Sequence, residues 1–333
     1  MASDHESRLA KLRLSTLVRS HQRLHGGDDS VIAEVDFSLG AAGIIGASGW
    51  VLVVQSPERG LGPALLWMDK YHLAQVNVIV ESGADVIARR ARLFDLNISV
   101  WSVVGDELIA ATPAPVAPPV VVPARHLSFS EIIEQAGATV VSEHGVLAGE
   151  ILGLEVCRVV DDPREESGIR LAIGVGAHDR ELFHMVNGNS PTLESLTKVV
   201  REVLRLRRHG AEKHPLNQLG AERLFREILV ENPQLVGADR LNRAEPPVAR
   251  LNLKDPTPCV ATGQASGTKI VVVCSATIDT DLVPFAADAR LALEPNADLV
   301  LAVAPNNVLP SMKRLANALH HPARFAVVAE FRR

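Results

Sequence analysis

The chain has 333 residues, 47% of them apolar and dominated by Ala, Val and Leu, which fills more than one core, since single cores rarely grow past about 250–300 residues. Aromatics are only 4% and the formal net charge is −5, which argues against rows of stacking platforms for single-stranded nucleic acid and against a globally basic nucleic-acid binder. A local basic face stays compatible with that net figure.

The pattern over 6–25 sets Leu9, Leu12, Leu14 and Leu17 among basic residues, as in an amphipathic helix. Strand patterns follow at Val31–Phe37 and Trp50–Val54, with glycines marking the turns. Leu61–Tyr71 then reads as a helix, Val76–Val80 as a strand, Ala84–Phe94 as a helix and Ile98–Val104 as a strand. Strand, helix, strand, helix, strand predicts an α/β layer with parallel pairing. Ala111–Ala124 carries five prolines and so predicts a stiff, extended boundary segment.

Beyond it, Ser130–Gly137 reads as a short helix stopped by glycine, followed by strands at Ala138–Val141, Gly149–Val160 and Ile169–Gly176. Helix patterns over Thr192–Arg208 and Gly220–Val230 close this central part, and Ala244–Lys269 reads as a second connector. The end repeats the order of the beginning, with strands at Ile270–Cys274, Leu299–Ala304 and Phe325–Val328 and helices at Asp281–Leu293 and Val308–Leu319. Duplication and the common α/β grammar explain that repeat equally. The expected organisation is an N-terminal α/β lobe over 1–110, a linker over 111–125, a central module over 126–243 and a C-terminal α/β lobe over 244–333.

Three scattered cysteines, Cys157, Cys259 and Cys274, read as buried free thiols in a reducing compartment, neither a disulfide framework nor a zinc site. The beginning of the chain is charged, and no run reaches the roughly 18–20 apolar residues of a membrane helix. The expectation is a soluble cytoplasmic protein with no membrane partner.

The order helix, strand, strand, strand, helix over about 130–185, with Gly149-Glu150-Ile151 on the second strand, resembles the restriction-endonuclease-like PD-(D/E)xK nucleases. The resemblance implies a central α-β-β-β-α nuclease-fold module, which the two small α/β lobes read from the element order would flank. It also implies Gly-Glu-Ile-Asp on one strand and Glu-Val-Lys at the end of the next, the Asp and Glu holding Mg²⁺. Here Leu152 stands for the Asp, and Gly174 and Gly176 stand for the Glu and Lys. Leucine and glycine offer no carboxylate oxygen to the ion. No cofactor is therefore expected, and Mg²⁺ enters only if an acidic site has moved to Glu150, Glu155, His178 and Asp179.

On one continuous strand Glu150 and Glu155 face opposite ways, so they share an ion only if a bulge or bend intervenes; alternatively they sit at strand ends or pair with Arg158 or Arg170. Asp179 alternatively caps the helix that follows. No Gly-x-Ser-x-Gly elbow completes a triad with His178 and Asp179, and the glycine stretches at 174–176 and 263–269 lack dinucleotide and phosphate-loop order. Arg201, Arg205 and Arg208 share a helix face and form the candidate nucleic-acid contact, extended by Arg207, His209, Lys213 and His214; a solvated helix face explains them as well. Arg89, Arg90 and Arg92 carry the same two readings. Three functions fit: a cut-incompetent nuclease-fold protein binding nucleic acid or a partner protein, a metal-dependent hydrolase with a relocated site, or a structural interaction protein, the partner in that case including a second copy of the chain.

Overall fold

The computed structural model describes residues 4–25, 32–187, 193–207, 219–249, 256–329 and 331. The chain is mixed α/β and divides into two compact units, one made of Met1–Val116, Ile278–Leu301 and Pro305–Val327, the other of Ala117–Thr277, Ala302–Ala304 and Val328–Arg333. No helix among the described residues is long and apolar enough to cross a membrane.

The first unit opens with α1 (Asp4–Leu24), β1 (Ala33–Val35), β2 (Gly40–Ile45), β3 (Ser48–Val53), α2 (Leu61–Lys70), β4 (Gln75–Val80), α3 (Ala84–Ala91), β5 (Ile98–Val104) and β6 (Glu107–Ala110). They build a six-stranded sheet in sequence order. β3, β4 and β5 pair in parallel, as the alternation of strand and helix requires, while β1–β2, β2–β3 and β5–β6 are antiparallel. β2 escapes the strand pattern because it is Gly-Ala-Ala-Gly-Ile-Ile, too short of β-branched and aromatic residues to signal itself. Helix α1 covers the sheet with Ala10, Leu14, Leu17 and Val18, packed with Trp50, Leu52, Ile79 and Leu108. Leu9 and Leu12, expected on that apolar face, point to solvent at 52% and 66% exposure.

Residues 111–123 form neither helix nor strand, in keeping with their prolines. The second unit continues with α4 (Ser130–Gln135), β7 (Thr139–Glu143), β8 (Val146–Ile151), β9 (Leu154–Asp161), β10 (Ile169–Ile173), α5 (Gly176–Asn187), α6 (Leu193–Arg207), α7 (Ala221–Glu231), β11 (Arg240–Ala244), β12 (Cys259–Ala265) and β13 (Thr268–Ser275). β7 to β10 form a four-stranded antiparallel meander. Helices α4 and α6 close its core, Ile133 meeting Leu147, Leu154 and Val156, with Leu196, Val200 and Val203 alongside.

Two expectations are corrected here. The strand read as Gly149–Val160 is a hairpin, so the order is helix, four strands, helix: Leu152 and Gly153 turn the chain at φ 45° and 73°. Positive φ at both central residues is the turn that matches strand twist, and leucine hides it because Asn or Gly usually stands there. The strand read as Ile169–Gly176 stops at Ile173. Gly174 has φ 137°, and a Cβ on it would lie 2.8 Å from the Arg180 backbone nitrogen, so the first turn of α5 passes directly over it.

The connector expected over Ala244–Lys269 contains β12, which pairs antiparallel with β11 and β13. The phosphate-loop-like stretch Gly263–Lys269 is the β12–β13 hairpin. The chain then returns to the first unit with α8 (Leu282–Leu293), β14 (Asp298–Val303), α9 (Pro310–Asn317) and β15 (Ala323–Val327). Of the segment expected as a C-terminal lobe, Ile278–Leu301 and Pro305–Val327 group with the N-terminal elements, while the part up to Thr277 and Ala302–Ala304 group with the central ones. Arg314 on α9 donates to both oxygens of Asp69 on α2, at 3.0 and 2.6 Å.

Candidate functional site

Glu150 is next to last on β8 and Glu155 is second on β9, and the hairpin sets them directly opposite each other beside a register irregularity at Gly149 and Glu150. The bend required to bring them together therefore exists. Both are buried, at 2% and 4% exposure, and a buried carboxylate needs a charged or hydrogen-bonding partner. Each has its own pair of arginines. Arg158 reaches Glu155 with two nitrogens at 2.6 and 2.7 Å, and Arg180 of α5 adds a third bond at 2.8 Å. Glu150 accepts from Arg223 of α7, and Arg226 one turn further lies 3.6 Å from its second oxygen.

The α7 arginines also serve Glu143 on β7, Arg226 at 2.6 Å and Arg223 beside it. Arg226 approaches Glu227 at 3.4 Å, and Arg243 of β11 donates to Glu227 at 2.9 Å. Loss of solvation alone would raise the Glu143 pKa, but the charges of Arg226 and Arg223 outweigh it and hold the carboxyl below its ordinary value. The set Glu143, Glu150, Glu227 against Arg223, Arg226, Arg243 balances in charge.

These residues do not fit the Mg²⁺ centre that the nuclease resemblance implies. Mg²⁺ demands near-octahedral oxygens at about 2.0–2.1 Å, whereas the oxygens of Glu150 and Glu155 face guanidinium groups. Leu152 occupies a turn, and the space over Gly174 is filled by the α5 backbone. Among the described residues no three His, Cys, Asp or Glu side chains converge to hold a metal.

His178 and Asp179 are exposed and do not join the buried carboxylates. Asp179 sits within the first turn of α5, which begins at Gly176, so it favours the helix dipole and is not the capping residue. Arg180 is the residue of that motif that turns inward to the sheet. Burial lowers its pKa, and the Glu155 charge opposes the shift.

The basic helix face is also redistributed. Arg201 and Arg205 are exposed on α6, but Arg205 donates to Glu202 at 2.6 Å. Arg207, counted with the surface stripe, is buried at 3% and donates to the carbonyls of Leu152 at 3.0 Å, Leu219 at 2.8 Å and Gly220 at 3.2 Å. It fastens the β8–β9 turn and the entry to α7. Arg208, His209, Lys213 and His214 lie outside the described residues.

In the first unit, Arg90 is 1% exposed and donates to Asp288 at 3.0 Å, to the Glu58 carbonyl at 2.8 Å and to Asp281 at 3.4 Å. Arg89 forks both Asp288 oxygens at 2.8 and 3.0 Å, and Arg59 pairs with Asp279. Burial pushes the Asp281 carboxyl up to about 7, the Arg90 charge recovering only part of the lost hydration. The Arg89–Arg90 pair is thus an internal fastening of α3 to α8. Its partners Asp281 and Asp288 give no signal in the sequence beyond Asp288 standing in a mostly apolar helix. The three cysteines are buried thiols, and burial raises the Cys157 thiol to about 12.

No protein-family model matches the sequence, and neither a curated protein nor a solved structure matches it.

Proposed function

We propose that the protein acts by binding a macromolecular partner without cutting it, through a nuclease-like central module whose acidic positions serve as internal ion-pair struts. The observation that carries this reading is the pairing of Glu150 with Arg223 and Arg226, and of Glu155 with Arg158 and Arg180. A divalent ion would have to displace those guanidiniums, and a buried arginine deprived of its carboxylate is strongly unfavourable. Support for the nuclease likeness comes from a helix, an antiparallel meander and a second helix in that order, with Gly149-Glu150-Ile151 closing β8.

A partner protein, or a second copy of the chain, fits α6 better than a phosphate backbone does. Its exposed residues are of both signs, Glu194 and Glu202 among Lys198, Arg201 and Arg205. The nucleic-acid reading keeps the shared exposure of Arg201 and Arg205 in its favour. A relocated Mg²⁺-dependent hydrolase would need Glu150, Glu155, His178 and Asp179 to converge, and the last two stand at the surface.

Fluorescence anisotropy with labelled duplex DNA and single-stranded RNA separates these readings. The expected result is weak binding that is unchanged when Arg201, Arg205 and Arg208 are all replaced by Glu. An affinity falling with salt by roughly 0.7–0.9 log units per phosphate neutralised, and lost in the triple variant, would move the reading to nucleic acid.

A further inference from the structure

At its C-terminal end α1 presents His21 in its last turn and His25 directly after it, four residues apart and so on one helix face. The backbone stays helical through this step, His25 N–H donating to the His21 carbonyl at 3.2 Å. The two imidazole rings lie 4.3 Å apart, centre to centre, and 34° from parallel.

Both rings present the same nitrogen. His25 Nδ1 lies 2.9 Å from the His21 carbonyl oxygen. A carbonyl only accepts, so the ring proton sits on Nδ1 and Nε2 keeps its lone pair. His21 is walled by Trp101, T-shaped at 4.5 Å, and by Trp50 at 5.6 Å. Its Nδ1 is enclosed without a hydrogen-bond partner, and that enclosure does not extend to Nε2. His21 is half-buried and His25 exposed, so the pair is open to solvent on one side.

This is the setting of a metal-binding imidazole pair. A bond from the other ring nitrogen to a carbonyl is the usual device that orients such a ligand. The carbonyls at the end of a helix carry partial negative charge, which favours a cation there. An ion about 2.0–2.1 Å from each Nε2 needs the two nitrogens roughly 3 Å apart, within reach of rings already this close.

We infer that His21 and His25 chelate a late first-row divalent transition ion, Cu²⁺ most tightly, through their Nε2 atoms. Imidazole suits copper, nickel and zinc, and Cu²⁺ heads the order of affinity. Among the described residues no third His, Cys, Asp or Glu joins the pair. Water therefore completes the coordination, and Mg²⁺, which wants oxygen ligands, gains nothing from the site.

Titration of the full chain with Cu²⁺, read by tryptophan emission, tests the assignment. The partly filled d shell of Cu²⁺ quenches indoles close to it, and Trp50 and Trp101 stand against His21. The expected result is a single saturable quenching phase that EDTA reverses and Mg²⁺ does not produce. The paramagnetic resonance spectrum of the bound Cu²⁺ is expected to show coupling to imidazole nitrogen. His25→Gln removes an exposed ligand and His21→Gln the half-buried one, and each is expected to weaken Cu²⁺ at least about ten-fold. Should His21→Gln not fold by circular dichroism, His25→Gln decides alone. No saturable quenching, an equal response to Mg²⁺, a spectrum without nitrogen coupling, or wild-type Cu²⁺ affinity in a folded variant would each overturn the inference.

Discussion

Arg226 is 1% exposed and stands among Glu143, Glu150 and Glu227, so its charge is tolerated only because theirs surround it. Replacing it by methionine keeps most of the volume and leaves those carboxylates buried with fewer partners. The expected cost is about 3–5 kcal/mol in urea unfolding, with part of it recovered when Glu143 is changed to Gln in the same chain. A loss under 1 kcal/mol would contradict the pairing. Asp281 makes a second residue-scale case. Its carboxyl rises from 3.8 to about 7, burial outweighing Arg90, with Asp279 adding to the rise and Arg59 opposing it. Between about pH 4 and 7 the folded chain therefore holds a proton that the unfolded chain has released, and stability falls as pH rises through that window. The contribution is at most about 1.4 kcal/mol per pH unit. Asp281→Asn cannot take up that proton and should flatten the fall when unfolding midpoints at several pH values are compared. An identical slope in the variant would count against it.

At the scale of elements, the β8–β9 turn ties the meander to its arginines. A Cβ on Gly153 would lie 2.5 Å from the backbone carbon of Arg223, and Gly153 has φ 73°. Gly153→Ala must therefore both strain the turn and push α7, which carries Arg223 and Arg226. The expected loss is about 2 kcal/mol or more in urea unfolding, and a change within about 0.5 kcal/mol would deny the close approach. This turn also marks where the sequence is hard to read. β4, β5, α2, α3 and α8 announce themselves through long apolar or 3.6-residue patterns, and they stand within a few residues of expectation. The β8–β9 hairpin does not, because Leu152 takes a positive φ that usually belongs to Asn or Gly. β12 is equally silent, its Cys-Val-Ala-Thr-Gly-Gln-Ala mixing buried and polar positions without alternation.

For the whole molecule, the charged residues divide into those the sequence locates and those only the fold can pair. Glu150 and Glu155 were legible as acidic residues on an apolar stretch, but their arginines come from residues 158, 180, 223 and 226 on three elements. Nothing in local spacing reveals which cation will meet which anion across 73 residues, as Arg223 and Glu150 do. The same holds for Arg90 and Asp288, 198 residues apart. The central claim is that the carboxylates of the meander are structural partners of arginine and do not carry metal-assisted cleavage. Incubating the purified chain with DNA and RNA in the presence of Mg²⁺ tests it most directly. The account predicts no cleavage above background, and Mg²⁺-dependent cleavage that disappears in a Glu150→Gln, Asp179→Asn double variant would contradict it.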